Sequence, residues 1–484
     1  MGNSGRGLLI AGTSSDAGKS LVTVATCRYL QRQGVAVAPF KAQNMSNNSM
    51  VCADGSEIGR AQFLQAAAAG VEPTSAMNPV LLKPGSDRRS HVVVRGRPAG
   101  TLEAGEYATG RTHLADAAFE AYRELARDFD VIVCEGAGSP AEINLRAGDY
   151  VNMGLARQFS LPVVLVGDID RGGVFASLYG TVALLEADDR ALISAFLINK
   201  FRGDESLLAP ACNRISDLTG VPFVGVLPWL SGVWLDGEDT LEVGRWRSAG
   251  AGVDGSLRVA VVRLPRLSNA TDVDALAAEP GVEVVVTTDP AVVAGADLAV
   301  LPGSRATVDD LQWLRSSGVA QAIATRVAAH VPVLGICGGY QMLAEQIFDP
   351  VESGVGAAPG LGHLPVTVRF GYDKILGRPS GSWRGAAVEA YEIHHGIAEV
   401  HGGKRFLDGC QLGSMYGTMW HGAFENDDFR RQWLSEIAAA AGSSWTPEPS
   451  AAAYNDRREL MINSLADALE AHADTTVIKA LVGL

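Results

Sequence analysis

The sequence predicts an α/β protein of two doubly wound domains, and three observations carry that expectation. Its 484 residues exceed what one hydrophobic core ordinarily serves. Short apolar runs alternate with helix-compatible stretches in both halves, as expected of parallel strands covered on both faces. Two of the strand–helix junctions, at 12–20 and 335–341, are rich in glycine.

In the first half the apolar runs place strands over 8–11, 35–40, 131–134, 163–167, 195–199 and 223–227. Between the first two, 20–33 reads as a helix that stops at Gly34, a residue suited to a left-handed cap. An alanine-rich helix is expected near 62–69. The pattern then loses periodicity around 234–255, in a mixture of Gly, Asp, Glu, Arg and Ser that suits a linker. A second series follows, with strands over 258–264, 282–288, 298–301, 331–336, 363–370 and 387–393. A helical tail is expected over 457–481. The resulting division is 1–235, a linker over 236–256, 257–445, and a tail over 446–484.

Composition excludes several classes. Apolar residues make up 47% and charged residues 19%, which describes a buried globular chain and not a disordered one. Nothing approaches 18 uninterrupted apolar residues, so no membrane span is expected. The first six residues contain no apolar stretch of the secretory kind, and Arg6 stands where a myristoylation motif needs Ser or Thr. The six cysteines are scattered without CxxC spacing, which points to a reducing, cytoplasmic compartment and away from zinc or disulfides. A net charge of −14 argues against a general nucleic-acid binder. It does not exclude small anionic ligands, because local cations can build a binding pocket inside an acidic protein.

The first glycine-rich loop reads Gly12-Thr13-Ser14-Ser15-Asp16-Ala17-Gly18-Lys19-Ser20, between a strand and a helix. Backbone amides around Thr13 and Gly18 can approach phosphate oxygens, the helix N-terminus favours anions, and Lys19 supplies charge to the β/γ-phosphates. Ser20 is the expected hydroxyl ligand of Mg²⁺ in an ATP site. Five residues separate Gly12 from Gly18, one more than in the ordinary phosphate loop. Glu135 ends a strand at the sheet edge where open α/β sheets bind ligands, and is a candidate metal ligand. Asp54, in a polar loop, is a second. Lys41 follows the second strand and is placed to reach a phosphate or a substrate carboxylate. Asn199 is a candidate adenine reader, and Arg171, Lys200 and Arg202 are candidate phosphate or carboxylate partners because they too follow strands.

The second junction carries Cys337 between Gly335-Ile336 and Gly338-Gly339, directly after an apolar run. This is a strand–nucleophile–helix elbow with sulfur as the nucleophile, and the helix N-terminus favours thiolate. Oxyanion donors are expected from the amides of Gly303 and Gly338. For a base, His421 in a glycine-flanked turn is favoured, with His394 and His395 as rivals, because triad members need not be close in sequence.

These segments carry a resemblance. The first half resembles the dethiobiotin-synthetase-like amidoligases, with a P-loop, and the second the class I glutamine amidotransferase domains of the triad type. Their order is similar to the cobyric acid synthase family. The blocks that carry this are Pro39-Phe40-Lys41-Ala42-Gln43-Asn44-Met45-Ser46-Asn47-Asn48, Glu135-Gly136-Ala137-Gly138-Ser139-Pro140, Asp168-Ile169-Asp170-Arg171-Gly172-Gly173-Val174-Phe175 and Asn199-Lys200-Phe201-Arg202-Gly203-Asp204. The resemblance implies a ligase of cobalamin biosynthesis. It would amidate the b, d, e and g carboxylates of adenosylcobyrinic acid a,c-diamide, a corrinoid, with glutamine and ATP·Mg²⁺, using Cys337 as nucleophile and His421 as base. Three departures from the family pattern stand out: His395 replaces a usual Met, Met419-Trp420 precedes His421 in place of the more usual aromatic–leucine pair, and Ala423 stands where a Glu usually follows the histidine. Glu425 is left outside the expected catalytic set. Rival readings are another amidoligase of this architecture, which the 43–48 and 168–175 blocks disfavour, and a partition-type ATPase. Ser14 stands where the latter carries its signature lysine, and such a protein has no use for Cys337.

Overall fold

The structure is a computed structural model that describes residues 6–85, 89–103, 112–231, 233 and 255–484. Most of the expected linker lies outside the described residues. The chain divides into two compact units, 1–45 with 52–235 and Arg458–Leu484, and Ser46–Val51 with Asp236–Arg457.

The first unit is built on a six-stranded sheet in the order Phe223–Pro228, Ile193–Phe201, Val163–Asp168, Arg6–Gly12, Val131–Glu135, Val37–Phe40. Every pairing is parallel. The continuous apolar runs are explained by what each face meets. Leu9 and Ala11 join one buried cluster while Leu8 and Ile10 join another, since successive strand residues point to opposite faces. Helix Lys19–Arg32 follows the glycine loop as expected, and Gly34 takes a left-handed φ of 77° beyond its end.

A smaller sheet, Gln43–Met45, Val80–Pro84, Arg89–Val94 and Arg97–Glu103, occupies a region in which no strand was expected. Its outermost strand is largely exposed, so it lacks the apolar run that betrays a covered strand.

The expected helical tail consists of two helices, Tyr454–His472 and Thr475–Leu481. Asp474 divides them, its carboxylate accepting from the amides of Thr476 and Val477 as an N-cap. Ile462, Leu465, Leu469, Ile478 and Val482 are part of the same buried cluster as Leu8, Ile10 and Leu30, so 458–484 covers one face of the first sheet. Ala473 bridges Gly225, where a Cβ would stand 2.3 Å from the His472 carbonyl oxygen.

The second unit carries a seven-stranded sheet in the order Val282–Thr287, Leu257–Val262, Leu298–Leu301, Val333–Ile336, Met415–Thr418, Gly409–Leu412, Lys404–Phe406. The first five strands run parallel and the last two pair antiparallel. The strand expected over 387–393 is divided. Ala386–Glu389 pairs with Ser380–Trp383, whereas Glu392–Val400 pairs with Val366–Gly377. The backbone changes partners at Tyr391, which exchanges hydrogen bonds with His421. Among the described residues no helix is long and apolar enough to cross a membrane.

Candidate active sites

In the first unit the glycine loop closes on its own helix. Gly18 is left-handed, with φ 96°, and a Cβ there would stand 2.0 Å from Asn199 Nδ2, so glycine is required on both counts. Lys19 is buried and its Nζ donates to the carbonyls of Ser14, 3.0 Å, and Gly138, 3.3 Å. Thr13 donates its amide to Val166 on the neighbouring strand. The Ser20 hydroxyl donates to Glu135 Oε1 over 2.9 Å, and Lys41 Nζ pairs with the same oxygen at 2.8 Å. Gln65 Nε2 donates to Glu135 Oε2. Lys41 and Glu135 are both buried, so each charge depends on its partner.

The remaining expected residues of this half separate into groups. Lys200 Nζ donates to the Asp16 carbonyl, 2.6 Å, and pairs with Asp168, 2.8 Å, while Arg171 pairs with the Asp16 carboxylate at 3.1 Å. Both cations therefore converge on the glycine loop. Asn199 Nδ2 donates to the Ala17 carbonyl, so in this structure the amide braces the loop. Arg202 lies elsewhere, over the Trp229 ring at 3.9 Å and beside Asp170. Asp54 is held in its own turn, where its Oδ1 accepts from the amide and hydroxyl of Ser56, and it is not joined to Ser20 or Glu135 by a hydrogen bond. Burial raises the Asp54 pKa, but the Ser56 bonds and the Arg97 charge outweigh it and hold the carboxyl below its ordinary value.

In the second unit strand Val333–Ile336 delivers Cys337 with a positive φ, φ 48° and ψ −108°, a strained geometry for a residue with a side chain. Neighbouring glycines make the turn possible. A Cβ on Gly339 would stand 1.9 Å from the Leu301 carbonyl oxygen, and one on Gly338 2.7 Å from the Ser304 nitrogen. The Gly303–Ser304 strand thus runs directly against the elbow, and a Cβ on Gly303 would meet His421 Cε1 at 3.3 Å. Asp310 fastens this strand, accepting from the Ser304 hydroxyl at 2.6 Å and from the Arg266 amide. Burial pushes the Asp310 carboxyl up to about 6 against the lowering effect of those bonds.

Strand Met415–Thr418 lies beside the cysteine strand and leads to His421, which is buried within hydrogen-bonding reach of Cys337. Its Nδ1 meets Asp272 Oδ2 at 2.6 Å, and the other carboxylate oxygen accepts from the Gly422 amide. Burial pulls the imidazolium pKa down. The Asp272 charge, the Cys337 sulfur and the bonds to both overcome that and raise it to about 10. Cysteine, imidazole and carboxylate in this arrangement can attack an amide and protonate its leaving nitrogen.

Asp272 was not legible in the sequence. It lies in a turn after a two-residue strand, 149 positions from the histidine, and only the carboxylate within reach of Nδ1 identifies it. His394 and His395 bond instead to Glu392 and to the Gly371 carbonyl.

A CobQ/CobB/MinD/ParA nucleotide binding domain matches residues 8–241, and a CobB/CobQ-like glutamine amidotransferase domain matches residues 258–429. A cobyric acid synthase of Cutibacterium acnes is 64% identical over 481 residues, covering 98% of this chain and 99% of that one. Cobyric acid synthases of Streptomyces avermitilis and Mycolicibacterium gilvum are each 56% identical, over 98% of this chain and 96% of theirs. The chain belongs to the cobyric acid synthase family. It is an amidotransferase ligase that joins a nucleotide-binding domain to a glutamine amidotransferase domain, and the other readings considered above are not favoured.

Proposed function

We propose that this chain amidates the b, d, e and g carboxylates of adenosylcobyrinic acid a,c-diamide, consuming glutamine and ATP, in the cytoplasm. The observation that carries the reading is the buried Cys337, His421 and Asp272 set in a chain that also brings Lys19, Ser20, Lys41 and Glu135 together after a glycine loop.

In the glutaminase half, Cys337 Sγ attacks the glutamine carboxamide carbon. The amides of Gly303 and Gly338 receive the developing oxyanion. His421, held protonated by Asp272, gives its Nε2 proton to the departing ammonia and a thioester remains. Water activated by the now neutral His421 then hydrolyses it to glutamate and restores the thiolate.

In the ligase half, a substrate carboxylate oxygen attacks the ATP γ-phosphorus and ADP leaves. Ammonia attacks the resulting acyl phosphate, phosphate departs, and the amide forms. The Gly18 amide would hold the phosphates, the expected Thr13 amide being engaged by the Val166 carbonyl, with Lys19, Arg171 and Lys200 supplying positive charge and Lys41 facing the acceptor carboxylate. Among the described residues no three His, Cys, Asp or Glu side chains form a metal cage. The Ser20 hydroxyl and Glu135 carboxylate, 2.9 Å apart, are nonetheless hard oxygen donors of the kind Mg²⁺ takes along with water and phosphate. They would hold that ion, which when bound neutralises phosphate charge. Asp54, bonded within its own turn, supports this role less well.

Mass spectrometry of the corrinoid after incubation with enzyme, ATP, Mg²⁺ and glutamine tests the reading. Four successive conversions of acid to amide are expected. Cys337→Ala should lose them with glutamine and keep them with ammonium. ATP hydrolysis without amidation from either nitrogen source would overturn the substrate assignment.

A further inference from the structure

Met45 and Cys52 group with the first unit, yet the six residues between them, Ser46–Val51, group with the second. Two kinds of contact within that second unit bear on the candidate active site. Asn48 Oδ1 accepts from the Ala270 amide at 3.2 Å, and the Ser49 amide donates to Asn269 Oδ1 at 2.9 Å. All four residues are buried. Asn269 is left-handed, with φ 50°, and caps the short turn Ala270–Val273 that contains Asp272. The bonds from Asn48 and Ser49 therefore land on the residues that set where this turn begins.

The second contact is apolar. Val51 is buried in a cluster with Tyr391 and Ile393. The Tyr391 ring stacks on His421, with centroids 5.3 Å apart and planes 23° from parallel, and its backbone exchanges hydrogen bonds of 3.0 and 2.8 Å with that histidine. One six-residue segment thus touches both the mount of the triad acid and the mount of the base.

We propose that Ser46–Val51, contributed by the sequence of the ligase half, is a positioning element of the glutaminase, and that Asn48 is its positioning residue. The inference rests on the assignment of Cys337, His421 and Asp272 to glutamine hydrolysis. Without the Asn48 side chain the buried Ala270 amide loses this acceptor, and the turn must shift to find another. A displacement near 1 Å is enough to cost a catalytic group about 10²-fold. Val51 supports the same pair from the His421 side.

The test uses full-length Asn48→Ala, with Val51→Ala as a second variant. Expected for Asn48→Ala is a fall of about tenfold or more in kcat for glutamine-dependent amidation. KM for glutamine should stay within about twofold, and ammonium-driven amidation should be unchanged. In combination with Asp272→Asn the Asn48 change should add little, because both act on one contact. Val51→Ala should give a smaller fall of the same kind. An unchanged kcat, a parallel loss of ammonium-driven activity, or additive effects in the double variant would each overturn the proposal. Cys337→Ala, assayed beside them, separates the two levels. If it kept glutamine-dependent activity the triad assignment would fail, whereas loss there with none in Asn48→Ala would remove only the positioning role.

Discussion

His421 Nδ1 and Asp272 Oδ2 lie 2.6 Å apart although 149 positions separate them in the chain. Both side chains are buried, so the carboxylate fixes the imidazole tautomer and supports the imidazolium with little competition from water.

Asp272→Asn should lower glutamine-dependent amidation by about 10²–10⁴-fold, since an amide can hold the ring in the wrong tautomer. Ammonium-driven amidation should be retained. Steady-state rates with the two nitrogen sources check this.

The raised His421 pKa sets a pH window. The imidazolium persists from the ordinary histidine value of 6.5 up to about 10, so glutaminase activity should fall on an alkaline limb near 10. In Asp272→Asn that limb should move down towards 6.5. A histidine whose pKa is raised by folding stabilises the fold fully below 6.5 and loses that contribution as pH rises through about 10. Thermal melts at pH 7 and 10.5 should therefore show a larger loss for the parent than for His421→Gln.

Glu135→Gln removes the charge that compensates buried Lys41. Breaking such a pair costs about 3–5 kcal/mol, and urea unfolding should show a loss of that order. The variant should also fail to amidate with ammonium, because the carboxylate expected to hold Mg²⁺ is gone.

Leu469→Ala should destabilise the first unit by about 2–5 kcal/mol, because Leu469 is fully buried in the cluster that includes Leu8 and Leu30. Leu460, on the same helix but 65% exposed, is the control, and Leu460→Ala should stay within about 0.5 kcal/mol. Urea midpoints of the two variants decide this.

The six strands of the first sheet and the cysteine elbow were legible because their signals are local. A strand covered on both faces reads as a continuous apolar run, as 163–166 does, and a cysteine at a tight turn needs small neighbours, as Gly338 and Gly339 are to Cys337. Strand Met415–Thr418 was missed although it is fully buried, since Gly417 and Thr418 interrupt its apolar character. Gly417 has no room for a Cβ, which would stand 2.0 Å from Tyr340 Cδ2.

The order of residues alone was enough for the two-domain α/β class, the glycine loop with Lys19 and Ser20, and the Cys337 elbow, because each depends on neighbours a few positions away. The folded chain was needed to bring Asp272 to His421 Nδ1, to gather Lys41, Gln65 and Ser20 on Glu135, and to send Ser46–Val51 and Arg458–Leu484 each to the unit distant in sequence. Hydrogen bonds and buried contacts act over a few ångströms of space, whatever the length of chain between the partners. Asp272 becomes the partner of His421 because the Ala270–Val273 turn and the residues after strand Met415–Thr418 meet in space, and no spacing along the chain encodes that meeting.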